Sequence, residues 1–83
     1  MLKILYFAGL QEQIGLAEQS LERPPAIDTL GQLRDYLVSR YPGHACLATA
    51  PNLKVARNQE LARFADPFED GDEIAFFPPV TGG

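Results

Sequence analysis

The sequence predicts an α+β domain in which one main helix packs on one face of a small mixed sheet. Two observations predict it. One segment, from about Leu30 to Tyr41, carries apolar residues at helical spacing, and short apolar or alternating segments read as strands on both sides of it. The scale comes from 83 residues at 46% hydrophobic content. That is one domain, residues 1–83, which on folding hides roughly 60% of the surface its unfolded chain exposes, so its core is modest.

Leu2–Ala8 is a near-continuous apolar run, as in a central strand covered on both faces. Leu10 and Ile14, four apart, share one side of a short helical turn that Gly15 ends in a left-handed cap. The stretch AEQSLE (17–22) alternates weakly and reads as a second strand; RPPAID (23–28) is an extended link. Thr29 and Gln32 match a capping box, and Leu30, Leu33, Leu37 and Tyr41 line one helical face. Gly31 weakens the first turn, and Pro42-Gly43 stops the helix. HACLATAPN (44–52), rich in small residues, reads as a loop that can include a helical turn. KVARN-QE-LARF reads as a hairpin with Asn58–Glu60 at the bend, and tight turns fall at Asp66-Pro67 and Asp70-Gly71. Glu73–Phe77 is the last strand, with Ile74 and Phe76 toward the core and Phe77 on the other face. A helix set between strand pairs suggests a grasp-type roll whose last strand lies beside the first.

Net charge is −4. An acidic surface disfavours nucleic acid and anionic membranes and favours a partner with a basic docking site. No run approaches the ~18 apolar residues of a membrane span. The apolar start reads as a strand, since no small-residue cleavage site comes after it. A cytoplasmic setting is expected, and the single cysteine, Cys46, excludes an internal disulfide.

Internal chemistry is sparse. His44 and Cys46 are the only residues of their types, too few for a catalytic metal site, and Cys46 has no dependable base. Cys46 reads as a small buried residue. Glu69, Asp70, Asp72 and Glu73 lack the spacing of a calcium loop and read as a solvated turn, with steering of a basic partner second. The glycines form neither a P-loop nor a dinucleotide fingerprint. No bound cofactor or metal is expected.

The functional signal lies in PPVTGG (78–83). Pro78 and Pro79 end the strand ladder and hold the chain in stiff, projecting geometry. Val80 and Thr81 keep it extended. Gly82 and Gly83 present an unhindered α-carboxylate on a tail narrow enough for another protein's channel. Two prolines and two glycines offer few anchoring contacts, so a mobile tail is expected. A carboxylate is a poor electrophile; made an acyl-adenylate, it can lose AMP to a sulfur nucleophile.

These residues carry a resemblance. DGDEIAFFPPVTGG (70–83) resembles the C-terminal signature of the small, sulfur-carrying subunits of molybdopterin synthase. LYFAGLQEQIG matches the family's opening through Ala8, Leu10, Glu12 and Gly15. The helix entry at Thr29 and VARNQE (55–60) fit as well. Gln11 stands where the family often has Arg, and Arg57 stands where an apolar residue is commoner and reads as solvent-facing or at an interface. The resemblance implies a β-grasp, ubiquitin-like fold. It implies that an adenylyltransferase resembling ubiquitin-activating enzymes spends ATP–Mg to adenylate Gly83, and that a sulfur donor protein makes the thiocarboxylate. The tail then enters the large synthase subunit, and sulfur passes to cyclic pyranopterin monophosphate. Two carriers serve each product, in a heterotetramer whose large subunit holds the catalytic residues; the small subunit alone is no enzyme. Gly83 reacts and Gly82 clears its path, while Phe7, Leu61 and Phe77, with Pro78, Pro79, Val80 and Thr81, form the expected partner interface. The rival readings are a carrier for thiamine thiazole, cysteine or tRNA thiolation, a ubiquitin-like modifier joined to lysine through Gly83, or a plain binding module.

Overall fold

The structure, a computed structural model, describes residues 1–79. The elements run β1 (Leu2–Tyr6), α1 (Gly9–Ile14), β2 (Glu18–Leu21), α2 (Leu30–Arg40), a 3-10 turn (Pro42–His44), α3 (Cys46–Thr49), β3 (Lys54–Arg57), β4 (Glu60–Ala62) and β5 (Glu73–Phe77). The five strands form one mixed sheet in the order β2-β1-β5-β3-β4. β1 and β5 are its central, parallel pair, with Ile4 opposite Ile74 and Tyr6 opposite Phe76. The other pairings are antiparallel. This is the expected α+β roll, with the last strand beside the first.

The two-residue period of the strands sorts the side chains. Leu2, Ile4, Tyr6, Val55, Ile74 and Phe76 are buried on one face, where Leu30, Leu33 and Leu37 of α2 complete the core. The opposite face carries no layer among the described residues, so β1 is covered on one face only, not on both. Lys3 and Phe7 are exposed and Leu5 half-buried. One main helix supplies one covering layer, and the apolar character of Leu5 and Phe7 is left facing outward.

The helix begins as the sequence dictates. Thr29 Oγ1 accepts from the Gln32 N–H at 3.2 Å, and Gln32 Oε1 accepts from the Thr29 N–H at 3.2 Å. It ends before Pro42, which forces Tyr41 into extended backbone at φ −124°. Gly31 has a packing reason. Its N–H donates to the Phe64 carbonyl at 2.8 Å, and a Cβ there would stand 3.2 Å from that oxygen. The segment after α2 holds the helical turn allowed for it, preceded by a 3-10 turn. The 3-10 turn and α3 bury His44, Cys46 and Leu47 against the end of the core. The β3–β4 bend is shorter than expected, with Asn58 and Gln59 at φ 51° and 70° and Glu60 already in β4. Both bend residues are left-handed, as a type I′ two-residue hairpin turn requires.

Candidate functional site

The strand register places Phe7, Leu61 and Phe77, three of the expected interface residues, on one surface. Across the uncovered face, Leu5 stands beside Ala75, Ala75 beside Ala56, and Ala56 beside Leu61. Phe77 comes two residues after Ala75, and the Phe7 N–H donates to the Phe76 carbonyl at 3.3 Å, bringing Phe7 alongside. Leu61 is 75% and Phe7 47% exposed, and Phe77 is half-buried. Together they form one apolar stripe, low at the two alanines and raised at its rims. Sequence reasoning missed Leu5, Ala56 and Ala75. Their signal was the alternation within β1, β3 and β5, which sets them in phase with Phe7, Leu61 and Phe77. Exposed contiguous apolar surface of this kind marks interaction sites.

Charges bracket the stripe. At one end Lys3 Nζ lies 3.8 Å from Glu18 and 4.0 Å from Glu73. At the other, Lys54 stands opposite Phe77.

β5 carries the tail, and its root is held firmly. Asp72, buried at the strand's entry, accepts from Arg57 Nε at 2.6 Å, Asn58 Nδ2 at 3.1 Å and the Glu69 N–H at 2.8 Å. Burial pushes the Asp72 carboxyl up, but these donors outweigh it and hold it below the usual carboxylate range. The amino terminus bonds Asp70 at 2.7 Å, and the Gly71 N–H donates to the Met1 carbonyl at 3.1 Å. The acidic segment is therefore not simply a solvated turn: Asp72 ties the hairpin bend to the start of β5. Arg57 serves the same knot, pairing with Asp72 and lying 3.8 Å from Glu69, rather than facing solvent as a free interface residue. Neighbouring charges of like sign hid this role in the sequence.

Beyond Phe77, Pro78 and Pro79 are both half-buried. They share an open groove with Leu10 of α1 and with Ala50 and Pro51 beyond α3. The base of the tail is thus more anchored than two prolines suggest. Val80, Thr81, Gly82 and Gly83 lie outside the described residues.

His44 and Cys46 do not form a reaction centre. Gln19 Oε1 accepts from Tyr6 Oη at 2.9 Å and lies 3.0 Å from His44 Nε2. An amide oxygen only accepts, so Nε2 carries the proton, and the buried Nδ1 has no partner among the described residues. Burial lowers the His44 pKa and raises that of the Cys46 thiol, the reverse of nucleophile activation. Among the described residues no group of three or more His, Cys, Asp or Glu is placed to hold a metal, and no helix is long and apolar enough to cross a membrane.

Comparison with known proteins agrees with this geometry. The molybdopterin synthase sulfur carrier subunit of Escherichia coli is 39% identical over 83 residues, covering 100% of both chains. The small archaeal modifier protein 1 of Haloferax volcanii superposes with a TM-score of 0.76 at 28% identity, covering 95% of this chain and 97% of that one. A chain in the complex of subunits 1 and 2 of the Helicobacter pylori molybdopterin-converting factor has the same fold. Its TM-score is 0.63 at 24% identity, over 99% of this chain and 97% of that one. The model of the ThiS family matches residues 4–83. With that match and a full-length relative of this identity, the chain belongs to the ThiS family, among the molybdopterin synthase sulfur carrier subunits.

Proposed function

We propose that this chain carries sulfur for molybdopterin synthesis as a thiocarboxylate on Gly83. The observation that supports this most is the family match, which runs through the terminal glycines. Gly83 stands four residues beyond Pro79 in the sequence, after a pinned central strand. In this reading a Gly83 carboxylate oxygen attacks the α-phosphorus of ATP, pyrophosphate leaves, and the acyl-adenylate forms. A persulfide sulfur then displaces AMP, and a second thiol cuts the S–S bond to release the thiocarboxylate. Glycine at 82 and 83 leaves both approaches open. Gly83 then delivers its sulfur inside the large synthase subunit to cyclic pyranopterin monophosphate. The small chain contributes no catalytic side chain to that step. The apolar stripe of Phe7, Leu61 and Phe77 docks the adenylyltransferase and the large subunit in turn. The pairing of subunits 1 and 2 in the Helicobacter pylori complex supports the second of these partners.

The test is the intact mass before and after incubation with ATP–Mg, the adenylyltransferase and a sulfur donor. Replacement of one oxygen by sulfur, mapped to Gly83 and lost when Gly83 is deleted, is expected. No change with demonstrably active enzymes refutes the reading. Likeness to a modifier protein favours one second reading, isopeptide conjugation through Gly83, which high-molecular-weight conjugates on a blot would reveal.

A further inference from the structure

Charge on the uncovered face of the sheet is sorted to its two ends. Where β5 begins, Glu18 and Glu73 share Lys3, which leaves negative charge in excess. Where β5 ends, Lys54 is exposed opposite Phe77, and the two-residue period of β3 sets it on the same face as Ala56. Lys3, Arg23, Arg34, Arg57 and Arg63 each lie within 4.0 Å of a carboxylate, and Arg40 sits 5.9 Å over the Tyr41 ring. Lys54 has no such partner among the described residues.

Glu73 and Phe77 are the first and last residues of β5, so the two ends of the face lie about 13 Å apart along the strand. That exceeds the ~8 Å screening length at physiological salt, and a partner meets a negative end and a positive end rather than a neutral average. Between them the surface is apolar, and the burial of apolar surface has no direction of its own. The stripe alone would accept a partner in either of two orientations half a turn apart. Only one of them leads the chain beyond Phe77 into that partner. Charge complementarity makes such a choice, because like charges brought together are penalised.

We infer that the large synthase subunit meets this face with a carboxylate against Lys54 and a basic side chain against Glu18 and Glu73, and that this polarity selects the orientation in which the tail enters. The inference rests on the sulfur-carrier reading, which names that subunit as the protein receiving the tail. Lys54 is then a positioning residue. It touches the partner beside Phe77 and acts on the sulfur only by setting where the tail is aimed.

The test titrates the full chain against the purified large synthase subunit by calorimetry at low and high salt, with melting temperatures measured in parallel. Lys54→Glu reverses the exposed charge. Arg40→Glu is the control: it changes the net charge equally, but from the end of α2, in the layer on the opposite side of the sheet. Lys54→Glu is expected to weaken binding at least fivefold more than Arg40→Glu at unchanged melting temperature, and the difference to shrink as salt rises. Lys54→Gln, which removes the charge without reversing it, should fall between, and Lys54→Arg should bind as wild type does. If wild type binds and Lys54→Glu weakens binding less than fivefold more than Arg40→Glu, or the difference ignores salt, the orienting role is overturned and the carrier reading stands. If wild type itself fails to bind, both fall.

Discussion

Asp72→Asn tests the knot that holds the tail-bearing strand. The substitution keeps shape and one acceptor oxygen, but it removes the charge and turns an amide N–H₂ toward one of the three donors. The Arg57 Nε contact at 2.6 Å is the bond at stake, and a hydrogen bond to a charged group contributes about 1.5–3 kcal/mol. For a domain of this size that lowers the melting temperature by roughly 10–20 °C. Urea unfolding followed by circular dichroism at pH 7 measures it. Glu69→Gln is the control: that carboxylate is exposed and 3.8 Å from Arg57, and a surface pair of this kind is worth about 0–1 kcal/mol. The pH dependence adds a second check. The folded Asp72 carboxyl titrates below the unfolded one, whose pKa is about 3.9. Its stabilisation is therefore complete well above that value and is lost as pH falls through the depressed folded one. The gap between wild type and Asp72→Asn should be constant from about pH 7 to about pH 5 and narrow below about pH 3.9. An Asp72→Asn loss no larger than that of Glu69→Gln, or a gap indifferent to acid, refutes the reasoning.

Phe7→Ala and Phe77→Ala should leave the fold intact and weaken binding to both the adenylyltransferase and the large subunit by roughly 2 kcal/mol, as buried interface anchors do. Unchanged affinity for both partners in either variant counts against the stripe. Nuclear magnetic resonance titration of His44 should show the Nε2–H tautomer and a pKa below the ordinary 6.5. With the folded pKa depressed, the unfolded state takes up the proton first, so His44 costs stability as pH falls below about 6.5. A measured pKa at or above 6.5 contradicts the buried, half-partnered ring.

The sequence made legible whatever local chemistry enforces. The Thr29–Gln32 cap, the Leu30, Leu33 and Leu37 stripe, the Gly15 cap (φ 86°) and the inward phase of Ile74 and Phe76 all stand where expected. The failures came where tertiary context overrides a local pattern. An apolar run such as LKILYFA is the same whether its second face meets a helix or a partner, so β1 read as doubly covered. The helical turn allowed for in 44–52 is there, but its burial of His44 and Leu47 alongside Cys46 was not legible. Asp72 could not be told from Asp70 or Glu69 until Arg57 and Asn58 were folded onto it. The candidate interface was legible through Phe7, Leu61 and Phe77. Its middle was not, since Ala56 and Ala75 carry no signal except register. The roles of Gly82 and Gly83 rest on chemistry and family membership, because they lie outside the described residues.

The parallel pairing of β1 with β5 also governs when the domain can exist. The strands in closest partnership are separated by nearly the whole chain, with Lys3 opposite Glu73. Non-local pairing of this kind makes folding slower than in helical bundles of similar size. It also means that a nascent chain emerging from the ribosome lacks the middle of its sheet until residues 73–77 are out. The same few residues that close the core lead directly into the tail that the proposed function makes reactive. A chain interrupted upstream of them has no complete fold and no tail to activate. In the proposed function, an adenylyltransferase would therefore encounter the glycines only on a chain whose last strand has been made.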